Sequence, residues 1–535
     1  MKTLKTIIFA SAALIATVAC TKEANPKESV PSAPGTIEVN VTALIGDLAP
    51  SEGTKATMAP VIRLTWENTD KVYAYDATQK IGELTVIPVE GNLSAKLSGD
   101  ISAPAANTTK ITLVYCTGTT PTMTDNKLSF DLSTQAVEAN PFVVYATLDY
   151  TTGLTSITDK IVPFNFATSL MRVTVTGLAN KDITNATVSG VNTKCELTVN
   201  ADSEPDIAGT TPGTITRAAD GITKSDDGRA VFNVSVAAEA ENTNRKLTIK
   251  QGDLIYGSDL MSGEIAAGTS IISVYALTEQ TGSRGKINGH DYVYVAGKKW
   301  ATQNLAISDS GKGAWLSAKV PGTTTDVVVG DYFQWGVYPN HTTAANGDQG
   351  LLTYTSFANM QCGGTEDKFE FKTGNKFDSK NTAPYGGSAY TKYVDADKSY
   401  RPNLDISDDV AHTLWGGSWR MPTSDEFKAL KDVTYWNWED VGYYVYAPQS
   451  GDAGKKNNET SNTYNKSDAL LFFPAAGYGN NGLLSKAGTN GYYWSSTLYS
   501  GSTDNAYYLS FRSGNVSPQS NYSRYDGFSV RPLSD

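Results

Sequence analysis

Side chains suited to acid–base or metal chemistry are sparse in this sequence and poorly spaced for it. Adjacent Asp408 and Asp409, and the pair Glu426 and Glu439, are the carboxylates that a glycosidase-type mechanism would draw on. Neighbouring positions on a helix point away from each other, so Asp408 and Asp409 read instead as first-turn acids facing a helix dipole. Asp395 and Asp397 offer two oxygens to a calcium ion, but the segment lacks the Gly and Glu that complete an EF-hand loop. Three histidines, His290, His341 and His412, are too few and too scattered for a metal centre or a proton relay. Gly-x-Ser-x-Gly, His-Glu-x-x-His and P-loop patterns are absent. The chain therefore reads as a non-enzyme with no cofactor, Asp395 and Asp397 being its weak calcium candidates.

Binding chemistry is better represented. Trp436, Trp438 and Tyr443 cluster behind a helical segment, and the stretch 517–526 offers Asn521, Tyr522, Arg524 and Tyr525. Aromatic faces stack on sugar C–H groups or on protein side chains, while amides bond hydroxyls, so the mixture suits a glycan or a protein ligand. These seven residues are the candidate ligand contacts. The same residues also read as packing, because Tyr444-Val445-Tyr446 alternates as a strand does. The polar insertion 451–468 reads as disordered or as a lid.

The elements that must position these residues fall into unlike halves. Of 535 residues, Lys and Arg number 44 and Asp and Glu 55, so 44 − 55 gives a charge of −11. That balance argues against nucleic acid, which needs clustered cations. Eight of nine Trp follow residue 299 and 22 of 29 Tyr follow residue 290. Lys2 and Lys5 precede an apolar run over 7–18 that is too short to span a bilayer and ends at Ala19-Cys20, as a secretory signal does. Thr17-Val18-Ala19-Cys20 resembles a bacterial lipobox, with Thr17 where Leu is usual; Cys20 is then the lipidation site and 1–19 the signal peptide. Residues 20–35 read as a polar, Pro-containing tether. Of the other cysteines, Cys116 and Cys195 stand in apolar, strand-like runs and read as buried thiols; Cys362 completes an odd set.

From 37 to about 280, short alternating runs predict strands at 37–42, 72–75, 110–115, 172–175, 230–236, 246–250 and 271–277. This length and spacing predict two β-sandwiches, 36–163 and 164–281. Thr54-Lys55-Ala56-Thr57 followed by Leu64-Thr65-Trp66-Glu67-Asn68-Thr69-Asp70-Lys71-Val72-Tyr73 resembles the opening of the fimbrillin-like proteins of Bacteroidota. Phe164-Asn165-Phe166 through Val173-Thr174-Val175 resembles the start of their second domain. The resemblance implies that a protease removes the first strand and that a strand from another pilin subunit replaces it, by β-strand addition. The expected cut falls at Lys55, where the family has Arg; the first Arg here is Arg63. That departure favours an unprocessed anchor or a stand-alone lipoprotein.

Beyond a boundary near 282–289, Thr423-Ser424-Asp425-Glu426 is a capping box opening a helix with Phe427, Leu430 and Val433 on one stripe. Residues 407–410 can open a shorter helix that stops at Gly416-Gly417. Strands around them make 286–535 an α+β domain. Its motifs, among them Lys299-Trp300, Gly417-Ser418-Trp419-Arg420-Met421-Pro422, Tyr493-Trp494-Ser495-Ser496 and Gly527-Phe528-Ser529-Val530-Arg531-Pro532, resemble the Fibrobacter succinogenes major paralogous domain. That implies a C-type-lectin-like fold with the first strand, 292–295, beside the last, 528–531. It also implies core roles for Trp300, Trp419 and Trp494, and ion-pair roles for Arg420 and Arg531. The Glu-Pro-Asn, Gln-Pro-Asp and Trp-Asn-Asp ligand sets of calcium-dependent lectins are missing, as is the cysteine pair of the related formylglycine-generating enzymes.

The expected whole is a mostly β, cell-surface lipoprotein of the outer membrane, held by its lipid anchor. It would be a fimbrial subunit, at the tip by virtue of its C-terminal domain, or an adhesin. The alternatives are a surface glycan-binding protein for nutrient capture and a purely structural lipoprotein.

Overall fold

A computed structural model describes residues 35–535, leaving out 46–48, 51–63, 90, 118–120, 136–140, 179–182, 220–221, 225–227, 307–315, 337–401 (apart from short strands), 458, 481–482, 503–504 and 525. Cys20, Lys55, Arg63, Cys362, Asp395, Asp397 and Tyr525 lie outside the described residues. The chain divides into two compact units. One holds residues up to 252 with 256–278, the other 253–255 with 279–535.

The first unit opens with a closed barrel in place of the expected sandwich. Strand Thr36–Ile45 pairs antiparallel with Ser94–Ser102 on one side and parallel with Ser156–Phe166 on the other. Val143–Asp149, Lys110–Cys116, Lys71–Tyr75 and Lys80–Pro88 complete the circuit. Alternation alone places Ile37, Val39, Val41 and Ala43 inside, and all four are buried. Trp66 fills the centre, 4.9 Å from the Tyr115 ring and edge-on to Phe164. Sequence alternation is the same for a barrel wall and a sandwich face, so closure lies beyond what the pattern can specify.

The rest of this unit does pack sheet against sheet. Ala230–Val236, Ser169–Thr176 and Thr269–Ala276 lie side by side, and the long hairpin of Asn185–Thr198 with Asp206–Ala218 forms the core of a second sheet. Val173, Phe232 and Ile271 from one sheet share a core with Val188, Ile215 and Leu247 from the other. Lys127–Asp131 pairs with Asn185–Thr198, so the two sequence stretches of this unit interleave. Cys195 is buried and Cys116 half-buried, both as free thiols; burial pushes each up to about 12.

The second unit is α+β. Helix α1 spans Val410–Trp415; Asp409, the second of the adjacent acids, caps it by accepting the Ala411 and His412 N–H groups. The other Asp409 oxygen accepts from Met421 N–H at 2.8 Å, tying the helix to the turn that follows. Gly416, at φ 65, ends α1 in a conformation that costs other residues strain. Helix α2, Ser424–Val433, carries the expected capping box between Thr423 and Glu426 and buries Phe427 and Leu430. Those two pack on Leu509, Phe511, Trp300 and Trp436. The base sheet runs Arg284–Ile287, His290–Val295, Lys298–Ala301, Leu533–Ser534, so 292–295 shares a sheet with the C-terminal strand, while 528–531, expected beside it, bridges instead from Phe528 to Phe333 and from Ser529 to Tyr493.

Candidate functional site

The aromatic excess of the second unit is mostly structural. Trp300, Trp335, Trp419, Trp436 and Trp494 are all fully buried. Trp494 stacks on Phe528 at 4.0 Å, and its Nε1 donates to the Phe333 carbonyl. Arg420 makes the expected ion pair, its two terminal nitrogens donating to Glu426 at 2.8 and 2.7 Å. Arg531 does not. It is buried and has no carboxylate partner among the described residues, donating to Asn304 Oδ1 and to the carbonyls of Ala301, Thr302 and Phe472 over the face of Phe473. Burial holds its pKa down at about 10.

Most of the sequence-nominated binding residues share this packing role. Trp436 stacks on Phe473 and donates from Nε1 to Thr434 Oγ1 at 2.8 Å. Tyr443 is fully buried, its hydroxyl donating to the Arg512 carbonyl, and burial pushes its pKa up to about 12. Trp438 is half-buried, edge-on to Tyr443, and hydrogen-bonded through its backbone to Asn457. Arg524 is buried, with its guanidinium 4.6 Å from the centre of the Trp335 ring. Tyr522 turns its ring inward against Tyr478 and Phe528. The structure therefore does not bring these residues together on a surface. The strand pattern of 435–446 prevails because both faces of its sheet are covered.

The insertion 451–468 is largely exposed where it is described but is anchored through Asp452 and Tyr464. Asp452 is buried and its Oδ2 accepts from Thr460, Asn462 and Tyr464 at 2.7–2.8 Å. Those bonds, Asn462 foremost, hold its carboxyl at about 2, and Tyr464 stacks on Tyr435 at 4.4 Å. A buried carboxylate with three neutral donors organises polar sequence that hydropathy alone reads as disorder.

Asn521 is different: it is exposed and marks a part of a sheet that nothing covers among the described residues. Strands Asn490–Leu498, Asn505–Arg512 and Asn515–Ser523 pair in that order. Along the middle strand, Asn505, Tyr507, Leu509 and Phe511 share one face. Helix α2 covers Leu509 and Phe511 and stops short of Tyr507. Its first turn is pinned to the sheet, Ser424 N–H donating to Thr497 Oγ1 and Gln519 Nε2 donating to Asp425 Oδ1. Beyond it Tyr507 pairs across the ladder with Asn521, and Asn505 Nδ2 donates to Asn521 Oδ1 at 3.2 Å. Tyr499 sets its ring edge-on to Tyr507, with centroids 5.3 Å apart, against Gly501, where a Cβ would meet the ring at 2.7 Å. Asn403 joins the row by accepting from Thr497 Oγ1. Sequence reasoning missed Tyr499, Asn505 and Tyr507; the available signal was the two-residue spacing of Asn505 and Tyr507 ahead of a buried Leu509.

Among the described residues, no group of three or more His, Cys, Asp or Glu side chains is placed to hold a metal ion, and no helix is long and apolar enough to cross a membrane.

A mostly β chain with a barrel-containing unit and an α+β unit is the class the fold defines. A family model described as a domain of unknown function, DUF8237, matches residues 456–533. No curated protein matches the sequence. The chain is similar to a proposed cell adhesion protein from Bacteroides uniformis, at 14% identity and TM-score 0.29, over 46% of this chain and 98% of that one. It is also similar to two Porphyromonas gingivalis structures at 10% identity. The tip fimbrial protein Mfa3, with C-terminal truncation, has TM-score 0.23 over 43% of this chain and 83% of that one. The fimbrial anchor protein Mfa2 has TM-score 0.24 over 40% and 78%. At these identities and scores, no function follows from the likeness.

Proposed function

We propose that the protein is a non-enzymatic adhesin of the bacterial cell surface, lipid-anchored through Cys20, in which residues 286–535 form the ligand-binding head. The observation that carries this reading is the uncovered strip of Tyr499, Asn505, Tyr507 and Asn521. Among the described residues it offers half-buried tyrosine rings and amide atoms with hydrogen-bonding capacity to spare, in a unit whose described tryptophans are mostly spent on packing. The signal and lipobox pattern that ends at Cys20 supports the location, and 20–35 serves as the tether. Residues 36–163 and 164–281 form the attached stem. The position of Thr36–Ile45 as the closing strand of a barrel supports an alternative, in which Cys20 is cut away with that strand: a strand-accepting fimbrial tip subunit. Its removal would leave the edges of Ser94–Ser102 and Ser156–Phe166 facing each other across a groove.

The test is adherence of cells or coated beads bearing the full chain against a chain ending at residue 278. The reading expects adherence to disappear with the head, and unchanged adherence would overturn it. Mass spectrometry of the native N-terminus addresses the finer question, since a start at Ala56 or Leu64 supports strand acceptance and an acylated Cys20 alone excludes it.

A further inference from the structure

We infer that the strip formed by Tyr499, Asn505, Tyr507 and Asn521 binds a neutral carbohydrate; this rests on the adhesin reading above and names its ligand class. Three features of the strip point to sugars. First, its hydrogen-bonding capacity is half used in a specific way. Asn505 gives one N–H to Asn521 Oδ1. Among the described residues this leaves Asn505 Oδ1 as an acceptor and Asn521 Nδ2 as a donor on neighbouring strands. A donor and an acceptor a few ångströms apart match vicinal hydroxyls, each of which both gives and takes a hydrogen bond.

Second, the rings are held in place before any ligand arrives. Tyr499 and Tyr507 are half-buried and locked edge-on at 87°. The ring pair therefore stands beside the amides without losing rotamer freedom on binding. The C–H face of a pyranose is the natural partner of such a ring.

Third, the strip is uncharged. Among the described residues, Asp425 at the first turn of α2 is already bonded to Gln519, and Arg524 is buried against Trp335. Sulfated or carboxylated sugars would find no cation among these four residues.

The experiment uses the full mature chain in affinity electrophoresis through gels containing neutral polysaccharides (mannan, dextran, xyloglucan) or acidic ones (polygalacturonate, hyaluronan). Tyr507→Ala and Asn521→Ala are run beside it, and each variant's unfolding midpoint is measured to show that it is folded. The expected result is retardation by at least one neutral polysaccharide, weakened about tenfold by each substitution at an unchanged midpoint, and no retardation by the acidic gels. Arg512→Ala, on the same strand but outside the strip, should bind as the parent does. Retardation only by acidic polysaccharides would overturn the inference, as would neutral binding indifferent to both substitutions. So would head-dependent adherence with no retardation in any gel, which would leave the adhesin reading standing and point to a protein ligand.

Discussion

The strand that closes the barrel sets a quantitative expectation. A chain beginning at Leu64 lacks Thr36–Ile45 and with it the buried side chains of Ile37, Val39 and Val41, each no more than 2% exposed. At about 1.5–3 kcal/mol for each large aliphatic group, their burial contributes about 5–9 kcal/mol. Whole domains are stable by only about 5–15 kcal/mol, so the truncated barrel has little stability left. Its groove should accept a synthetic peptide of residues 36–45, because the register on both sides is set by alternate inward side chains. Urea unfolding followed by Trp66 fluorescence is the assay, with the other tryptophans replaced by Phe where folding permits or the stem alone used if it proves soluble. The truncated chain should lose the barrel transition and the peptide should restore it, whereas a peptide with Val39→Asp and Val41→Asp should not. A truncated chain that unfolds at the parent's urea concentration would refute the reasoning, as would equal rescue by the charged peptide.

Three further outcomes follow from the second unit. Arg531→Met strands the Ala301, Thr302 and Phe472 carbonyls and Asn304 Oδ1, and should cost about 3–5 kcal/mol in urea unfolding of this unit; a loss under 1 kcal/mol would show that water replaces the guanidinium. Thr423→Ala removes the cap of α2 and should cost about 1 kcal/mol, with Thr423→Ser close to neutral by the same melt. Burial works to raise the Glu426 carboxyl, but bonds from Arg420 and Thr423 outweigh it and hold the group below its ordinary 4.5. A depressed folded value means that this stabilisation is fully present above pH 4.5 and is lost as pH falls below it. Unfolding midpoints from pH 3 to 7 should therefore drop at the acid end, and Glu426→Gln should flatten that drop.

Local structure was legible wherever alternation or capping chemistry decided it. Residues 230–236 predicted as a strand are strand Ala230–Val236, and the Thr423–Glu426 box begins α2 where the sequence placed it. Long-range decisions were not legible. Nothing in Ile37-Glu38-Val39-Asn40-Val41 states that both its edges are paired, which is what turns a sheet into a barrel. The candidate site failed for a related reason. Tyr443 and Trp436 look like Tyr507 in sequence, and only the cover laid over each strand distinguishes them: both faces for 435–446, and one face up to Leu509 for the middle strand of the last sheet. The ion-pair role that the family resemblance implied for Arg531 does not hold among the described residues, because three carbonyls and Asn304 satisfy the guanidinium instead.

The small size of the strip bears on how such a head would work. Two rings and two amides joined by one hydrogen bond make a shallow, solvent-exposed contact, unlike the deep pockets that enclose most of a small ligand. One such contact gives weak binding, and raising its affinity would require covering Tyr507 with more protein, which is what α2 does one turn away for Leu509. A weak site becomes an adhesive one through repetition. If many copies are held on one surface, a second contact forms at high effective concentration, and the combined affinity exceeds either alone by orders of magnitude. Adherence of cells should therefore fall steeply, and more than linearly, as the surface density of the protein is lowered. Monomeric binding in a gel should stay weak and independent of density. Adherence that scaled in proportion to copy number would show instead that each head binds tightly by itself, through a surface larger than the strip.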